Sequence, residues 1–263
     1  MLGRKIDLDE IPNLIEESDA DIVCEFTDLN IRERGEPAFT YLSTAIRSGK
    51  HVITTNKGPI AFHYDELMEL GRKYNRLVRF KGTVMAGTPS FNIIDLLPGV
   101  RVNYFMGILN GTTNYILTRM YEGMDFNEAL RLAQERGFAE ADPSLDVDGW
   151  DAALKTIIIS RVLGWRHDLG NMEVRGIRNL DIKAFGDRVV KLIAYADKET
   201  AYVKPIPLDR SDVLAHVNEN LNALRINTDI LGDITVIGPG AGPIETAQAV
   251  LTDLVYIINN AGD

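Results

Sequence analysis

Short apolar runs alternate with helical patterns through the first third of this chain, and this order limits the fold more than any other feature. The apolar runs predict buried strands at 21–27, 51–54 and 77–83, and the segments between them predict helices at 36–49 and 65–74. Strand, helix, strand, helix and strand is the order that generates a parallel sheet with right-handed crossovers. The first third is therefore expected to be part of a doubly wound nucleotide-binding domain.

The middle of the chain has a different order. Strands are predicted at 100–106, 172–177, 189–197, 201–206 and 233–237. A capping box of Asp125 and Glu128 opens a helix that Gly137 closes, and a second helix is predicted at 149–163. Strands with helices on one side indicate an α+β domain. A glycine-rich turn at 238–243 and an apolar-periodic helix from Glu245 to about Ile258 follow.

Composition excludes several classes of function. The net charge of −10 argues against nucleic-acid binding, which needs a basic patch. The longest apolar runs are too short to span a bilayer, and the first residues lack the pattern of a secretory signal, so a cytoplasmic protein without a membrane partner is expected. Cys24 is the only cysteine and the four histidines lack metal-ligand spacing, so no Cys- or His-based metal site is predicted.

The helix at 149–163 carries an acid and a lysine that are candidates for chemistry. Asp151 and Lys155 are four residues apart, which places both side chains on one helix face. The residues around them are apolar on most faces, so the polar pair is expected to face a cleft, where a Lys can move a proton. Four more acids crowd the start of this helix: Glu140, Asp142, Asp146 and Asp148. A surface ion pair beside a solvated acidic loop is the structural alternative.

Two further segments have the composition of ligand sites. The run 107–114 places small and hydrogen-bonding residues between a strand and a helix, where backbone N–H groups can approach a ligand. A simple capped turn explains the same pattern. Lys57 follows the predicted strand 51–54, at the sheet edge where open parallel sheets bind ligands.

Five segments together resemble the homoserine dehydrogenase family. GILNGTTNYILTRM (107–120) and GFAEADPSLDVDGWDAALK (137–155) are long and specific, and TTNKGPIAF (54–62), GTVMAGTP (82–89) and GPGAGPIETAQAVLTDL (238–254) follow the same family order. The resemblance covers the chain from about Asp21. It implies interconversion of L-aspartate 4-semialdehyde and L-homoserine with NADP or NAD, a step in Thr, Met and Ile biosynthesis. It also implies an α/β fold in which a Rossmann-type dinucleotide-binding domain, here incomplete, joins an α+β catalytic and dimerisation domain.

The resemblance assigns roles by motif position. Lys155 corresponds to the catalytic proton donor, and Lys57 to a lysine near the nicotinamide and the reacting carbonyl. The residues that correspond to the substrate site are Glu140, Asp151, Asp146, Thr112 and Gly111. Those that correspond to the cofactor site, besides Lys57, are Thr27, Gly242, Glu245 and Thr246. The resemblance implies an amino-acid substrate, and the family pattern also predicts a homodimer through strands of the middle domain.

The family also binds a monovalent cation, Na⁺ or K⁺, through backbone carbonyls. The corresponding residues here are Lys81, Val84, Ala86 and Thr88. Many members have Glu where this chain has Lys81. The backbone carbonyl of residue 81 can bind the cation whichever side chain is present, although the lysine adds a positive charge beside the site.

One family feature is not found in this sequence. Members open with a strand and a G-x-G-x-x-G turn that holds the cofactor pyrophosphate at a helix N-terminus. We therefore predict a partial dinucleotide-binding domain at 1–85 that lacks its first βαβ unit, a substrate and dimerisation domain at 86–237, and a returning helix at 238–263. No threonine-sensing extension is expected after about Asn260. The alternative is a cofactor-deficient homologue that binds the amino-acid ligand without hydride transfer.

Overall fold

The computed structural model describes residues 7–261. The chain forms two compact units: one runs up to Thr83 and takes in the chain again from Thr246, and the other spans Val84–Glu245. The sequence placed these divisions after residues 85 and 237. The second unit reaches further because its last strand continues to Pro239 and Gly240 then packs against the buried Asn222 of the neighbouring strand.

The first unit contains a three-stranded parallel sheet in the order β1, β2, β3. Its helices and strands are α1 (Ile11–Glu17), β1 (Ile22–Glu25), α2 (Ala38–Arg47), β2 (His51–Thr54), α3 (Lys57–Tyr74) and β3 (Val78–Arg79). Single-turn 3₁₀ helices lie at Leu8–Glu10 and Lys81–Thr83. This confirms the predicted α/β order of strands and helices in the first third of the chain.

Helix α3 begins eight residues before the predicted start at Asp65. Asn56 caps it, because the side-chain oxygen accepts a hydrogen bond from Gly58 N at 3.0 Å. His63 has a non-helical backbone, with φ −129° and ψ 26°, and it divides α3 into two segments. The sequence pattern found only the second segment, since the change of direction at His63 interrupts the apolar periodicity.

The second unit is built on a six-stranded sheet in the order β5, β7, β6, β4, β8, β9. Its helices and strands are β4 (Val102–Ile108), α4 (Gly111–Tyr121), α5 (Phe126–Glu135), α6 (Ser144–Val147), α7 (Trp150–Val162), β5 (Glu173–Val174), β6 (Val189–Asp197), β7 (Ala201–Leu208), β8 (Leu221–Thr228) and β9 (Gly232–Pro239). Only β5 and β7 pair in parallel; the other neighbours are antiparallel. A final helix, α8 (Pro243–Asn260), follows β9.

Strand β8 was not predicted, although it is central to the sheet and pairs with both β4 and β9. Polar residues interrupt its apolar pattern, among them Asn222 and Arg225. The buried side chain of Asn222 has no hydrogen-bond partner among residues 7–261, whereas Asp212 balances the charge of Arg225, which donates to both of its carboxylate oxygens at 3.2 and 2.5 Å. A partner this distant in sequence cannot be identified from the strand alone.

Helix α7 confirms the predicted buried helix at 149–163. Ten consecutive residues, Asp151–Ser160, are buried on every face of the helix. The predicted cap of α5 is also present, since Asp125 accepts a hydrogen bond from Glu128 N at 3.0 Å. Among residues 7–261 no helix is long and apolar enough to cross a membrane.

Lys191 on β6 gives the second unit a pH-dependent stability. Burial lowers the pKa of its ammonium from an ordinary 10.5 to about 8. Between these pH values the unfolded chain binds more protons than the folded one, so the free energy of unfolding rises with pH. We expect the wild type to gain about 3 kcal/mol relative to Lys191→Met across this range.

Urea denaturation of both proteins near pH 7 and pH 10 measures this difference. Trp150 and Trp165, the two tryptophans of the chain, both lie in the second unit and report its unfolding by fluorescence. A difference in unfolding free energy that stays constant with pH would contradict the lowered pKa.

Candidate active site

The acid and lysine of α7 form a buried ion pair in the second unit. Lys155 Nζ lies 2.8 Å from Asp151 Oδ2 and donates a hydrogen bond to Leu109 O at 2.7 Å. Only 7 % of Lys155 and 9 % of Asp151 are exposed, which is too little for a surface ion pair. A charged pair is costly to bury unless further polar groups support it, and that cost makes this pair a candidate for function.

Asn110 supports the pair and joins it to a third acid. Its side-chain nitrogen donates to Asp151 Oδ2 at 2.9 Å and to Asp146 Oδ1 at 2.6 Å. Its side-chain oxygen accepts from the backbone N–H of Thr113 at 2.8 Å and so caps α4. One amide therefore fixes the start of α4 and spaces two carboxylates near Lys155.

The carboxyl of Asp146 holds its proton more readily than an ordinary aspartate. Burial raises its pKa, and the nearby Asp151 carboxylate raises it further. The hydrogen bond from Asn110 and the charge of Lys155 oppose the rise. A buried acid with a raised pKa, beside a lysine and a second carboxylate, is typical of sites that move protons.

Two more predicted substrate residues, Gly111 and Thr112, form the start of α4 and directly follow Asn110. A Cβ at Gly111 would lie 2.6 Å from Asn220 O, so glycine is required for this approach of α4 to the residues before β8. Thr112 donates its hydroxyl hydrogen bond to Phe138 O at 2.6 Å and is thereby tied to the segment after α5.

Glu140 lies in the loop between α5 and α6. Its side chain is exposed, and its backbone oxygen accepts from Gln134 Nε2 at 3.0 Å. An exposed carboxylate on a tethered loop is available to an approaching amino group. The structure therefore places Glu140 in the second unit with Asp146, Asp151 and Lys155, but at its surface.

The first unit has a polar cluster where β1 and β2 end. Glu25, which is 3 % exposed, accepts from the backbone N–H and the hydroxyl of Thr27 at 2.7 and 2.6 Å. Its other oxygen accepts from the hydroxyl of Thr54 at 2.6 Å. Asn56 Nδ2 donates to Thr27 O at 3.2 Å. These bonds fix the two loops at the carboxyl end of the sheet, the edge where such sheets bind ligands.

Lys57, half-buried, is the first residue of α3 and follows the capping Asn56 directly. The same cluster therefore fixes the backbone next to Thr27 and next to Lys57, the two predicted cofactor residues of this unit. Burial and hydrogen bonds to Glu25 and Asn56 hold both loops in one arrangement.

The remaining predicted cofactor residues surround the start of α8. Gly242 has φ +133°, a backbone conformation that favours glycine, and the Glu245 carboxylate packs where a Cβ of residue 242 would lie. Glu245 lies in the first turn of α8 and Thr246 follows it; both are half-buried. Ahead of this helix, at the end of β9, Pro239 O accepts a hydrogen bond from the hydroxyl of Thr88 at 2.8 Å.

The residues predicted to bind a cation lie in or beside a tight turn. Val84 O already accepts from the Ser90 hydroxyl at 3.0 Å, and Ala86 has a left-handed backbone with φ 45°. Lys81 is buried in the first unit, and burial lowers the pKa of its ammonium. The negative charge of Asp253 partly opposes this shift. Its backbone N–H donates to Asp253 at 2.7 Å.

Asn110 and Glu25 are central to these clusters but were not among the predicted site residues. Each had a detectable signal. Asn110 directly precedes a helix, where Asn is a common cap, and Glu25 is a carboxylate inside an apolar strand, where a charge requires partners. The carbonyl of Leu109 had no signal in the sequence, because every residue has a backbone oxygen.

Comparisons with known proteins identify relatives of this chain. The family model described as homoserine dehydrogenase matches residues 89–255. A homoserine dehydrogenase of Sulfurisphaera tokodaii is 44% identical over 90% of this chain and 77% of its own length. An NAD(+)-dependent homoserine dehydrogenase of Pseudomonas canavaninivorans is 40% identical over 94% of this chain and 74% of its own.

A solved structure shows the same fold. A hyperthermophilic archaeal homoserine dehydrogenase in complex with NADPH superposes with a TM-score of 0.85 at 33% identity, covering 96% of this chain and 76% of that one. These similarities confirm the resemblance first found in the motifs 107–120 and 137–155. The chain belongs to the homoserine dehydrogenase family.

Proposed function

We propose that this chain interconverts L-aspartate 4-semialdehyde and L-homoserine with a nicotinamide cofactor. The observation that carries the proposal is the buried pair of Lys155 and Asp151, which Asn110 links to Asp146. Relatives that share this fold are named homoserine dehydrogenases, and both an NAD(+)-dependent relative and an NADPH complex are among them. They favour the active enzyme over the cofactor-deficient alternative.

Proton transfer in this proposal belongs to Lys155. As an ammonium it donates a proton to the aldehyde oxygen while the carbonyl carbon is reduced, and in the reverse direction the amine takes the proton of the homoserine hydroxyl. The nicotinamide supplies or accepts the hydride. Leu109 O and Asp151 hold Nζ in place at 2.7 and 2.8 Å, and an ammonium has a third N–H group for the substrate oxygen.

The acids and the first turn of α4 bind the amino-acid part of the substrate. Glu140 is exposed and suited to the substrate ammonium, while Gly111 and Thr112 offer a helix N-terminus to its carboxylate. Asp146 and Asp151 complete the site, and the raised pKa of Asp146 limits the negative charge facing that carboxylate.

The cofactor is expected at Thr27, Lys57, Gly242, Glu245 and Thr246. The first unit fits this assignment, because Thr27 and Lys57 follow two parallel strands at their carboxyl ends, and the buried Glu25 fixes their loops. Lys57 adds a positive charge suited to a substrate carbonyl or a cofactor phosphate.

A monovalent cation and a homodimer complete the proposal. Na⁺ or K⁺ would be held by carbonyls of the segment that carries Val84, Ala86 and Thr88, with the carbonyl of Lys81 as the fourth ligand.

For the dimer, the second unit offers a row of half-buried, stacked tyrosines on its sheet: Tyr104, Tyr195 and Tyr202. Aromatic rows of this kind are common at subunit interfaces.

Homoserine oxidation by the purified chain tests the function. We expect reduction of NADP⁺ or NAD⁺ that depends on L-homoserine, together with micromolar binding of at least one reduced cofactor in a fluorescence titration. L-Serine, one methylene shorter, is the matched control substrate and is expected to turn over poorly. Homoserine binding without cofactor binding would contradict the proposal and support the cofactor-deficient alternative.

A further inference from the structure

Lys191 is a buried cation that the proposed reaction does not use. It lies on β6, near the centre of the second unit's sheet, and is 1 % exposed. Its Nζ donates to Val217 O at 2.5 Å, to Asn114 Oδ1 at 3.0 Å and to Asn218 Oδ1 at 3.2 Å. All three acceptors are neutral, and burial correspondingly lowers the pKa of the ammonium. A buried charge with such partners is costly for stability, so a functional reason is expected.

Asn114 extends these contacts along α4. It is 1 % exposed and lies one turn after the capping Asn110. Its side-chain nitrogen donates to Val217 O at 3.1 Å and to Leu221 O at 3.0 Å, while its oxygen accepts from Lys191. The amide thus binds α4 to both ends of the segment 217–221.

The same segment touches the start of α4. Asn220 O lies so close to Gly111 that a Cβ there would be 2.6 Å away. Segment 217–221 therefore contacts α4 at Gly111 and again at Asn114, on successive turns. Lys191 anchors this segment from the sheet, and the turn it supports carries Gly111 and Thr112.

We propose that Lys191 is a positioning residue for substrate binding, acting through Asn114 and the segment 217–221 on the first turn of α4. The inference rests on the proposed function, because it assigns Gly111 and Thr112 to the substrate. Loss of the ammonium frees Asn114 Oδ1 and Asn218 Oδ1 and releases the segment that packs on Gly111. The reacting groups Lys155 and Asp151 keep their own contacts with Leu109 and Asn110.

Steady-state kinetics of Lys191→Met separate this role from a purely structural one. We expect the KM for L-homoserine to rise about tenfold, the loss expected for one charge-assisted hydrogen bond, while kcat changes less than about threefold. The KM for the cofactor should stay unchanged. Lys204→Met on the adjacent strand β7 is the matched control, since Lys204 pairs with Glu173 at the surface.

Asn114→Ala removes the other end of the connection and keeps Lys191. It should raise the same KM, and the double variant should be no worse than the more affected single variant. A wild-type KM in folded Lys191→Met, or additive effects in the double variant, would overturn the inference. If Lys191→Met does not fold, a wild-type KM in Asn114→Ala overturns it and a raised one supports it. Inactive wild type would instead refute the proposed function.

Discussion

Lys155→Met is expected to lower kcat for aspartate 4-semialdehyde reduction by about three orders of magnitude, within the range of a lost general acid. Methionine fills a similar volume but has no proton to give. The variant also leaves Asp151 without the ammonium that lies 2.8 Å from it and leaves Leu109 O without its donor. Turnover with saturating substrate and cofactor is the measurement, and homoserine affinity should fall much less than turnover.

The neighbouring Thr156→Val is the matched control for Lys155→Met. Thr156 is equally buried in α7, and its hydroxyl donates only within the helix, to Ala152 O at 2.7 Å. We expect this variant to keep kcat within about threefold of the wild type. Activity of a well-folded Lys155→Met near that of the wild type would refute the role of Lys155 in proton transfer.

Asn110→Asp is expected to have the second largest effect on activity. Aspartate caps a helix as well as asparagine does, so the bond to Thr113 N at 2.8 Å survives. The amide that donates to Asp146 and Asp151 is replaced by a third carboxylate at hydrogen-bond distance. Since like charges so close cannot all ionise, we expect a loss of at least about tenfold in kcat/KM for homoserine.

The pH profile of kcat/KM checks this mechanism. A lower pH returns a proton to the three acids, so the relative defect of Asn110→Asp should shrink as the pH falls. Asp125→Asn, the opposite exchange at the exposed cap of α5, should leave kcat/KM unchanged. A defect in Asn110→Asp that is constant with pH would indicate damage to packing and not repulsion between carboxylates.

The sequence predicts those helices and strands whose pattern of apolar and polar side chains shows which faces are buried. The order of β1, α2, β2, α3 and β3 follows from apolar periodicity, and α7 follows from a run that is apolar on all faces. Strand β8 escaped prediction because polar residues interrupt its apolar pattern, and the charge of one of them, Arg225, is balanced by Asp212 in a contact that depends on tertiary structure. The early start of α3 escaped prediction because His63 interrupts its periodicity.

Some contacts of the candidate site can likewise be predicted from the sequence, and others cannot. The spacing of Asp151 and Lys155 predicts their contact, because i and i+4 side chains meet on any helix. The bridge from Asn110 to Asp146 joins residues 36 positions apart, and the bond from Lys155 to Leu109 O spans 46. Neither has a local signal, so only the folded chain shows that the motifs at 107–120 and 137–155 form one cluster.

A crystal structure of the chain with L-homoserine bound tests the central claim most directly. The account predicts that the substrate hydroxyl lies within hydrogen-bond distance of Lys155 Nζ, with its amino group at Glu140 and its carboxylate at the first turn of α4. Homoserine bound with its hydroxyl out of reach of Lys155 Nζ would contradict the account.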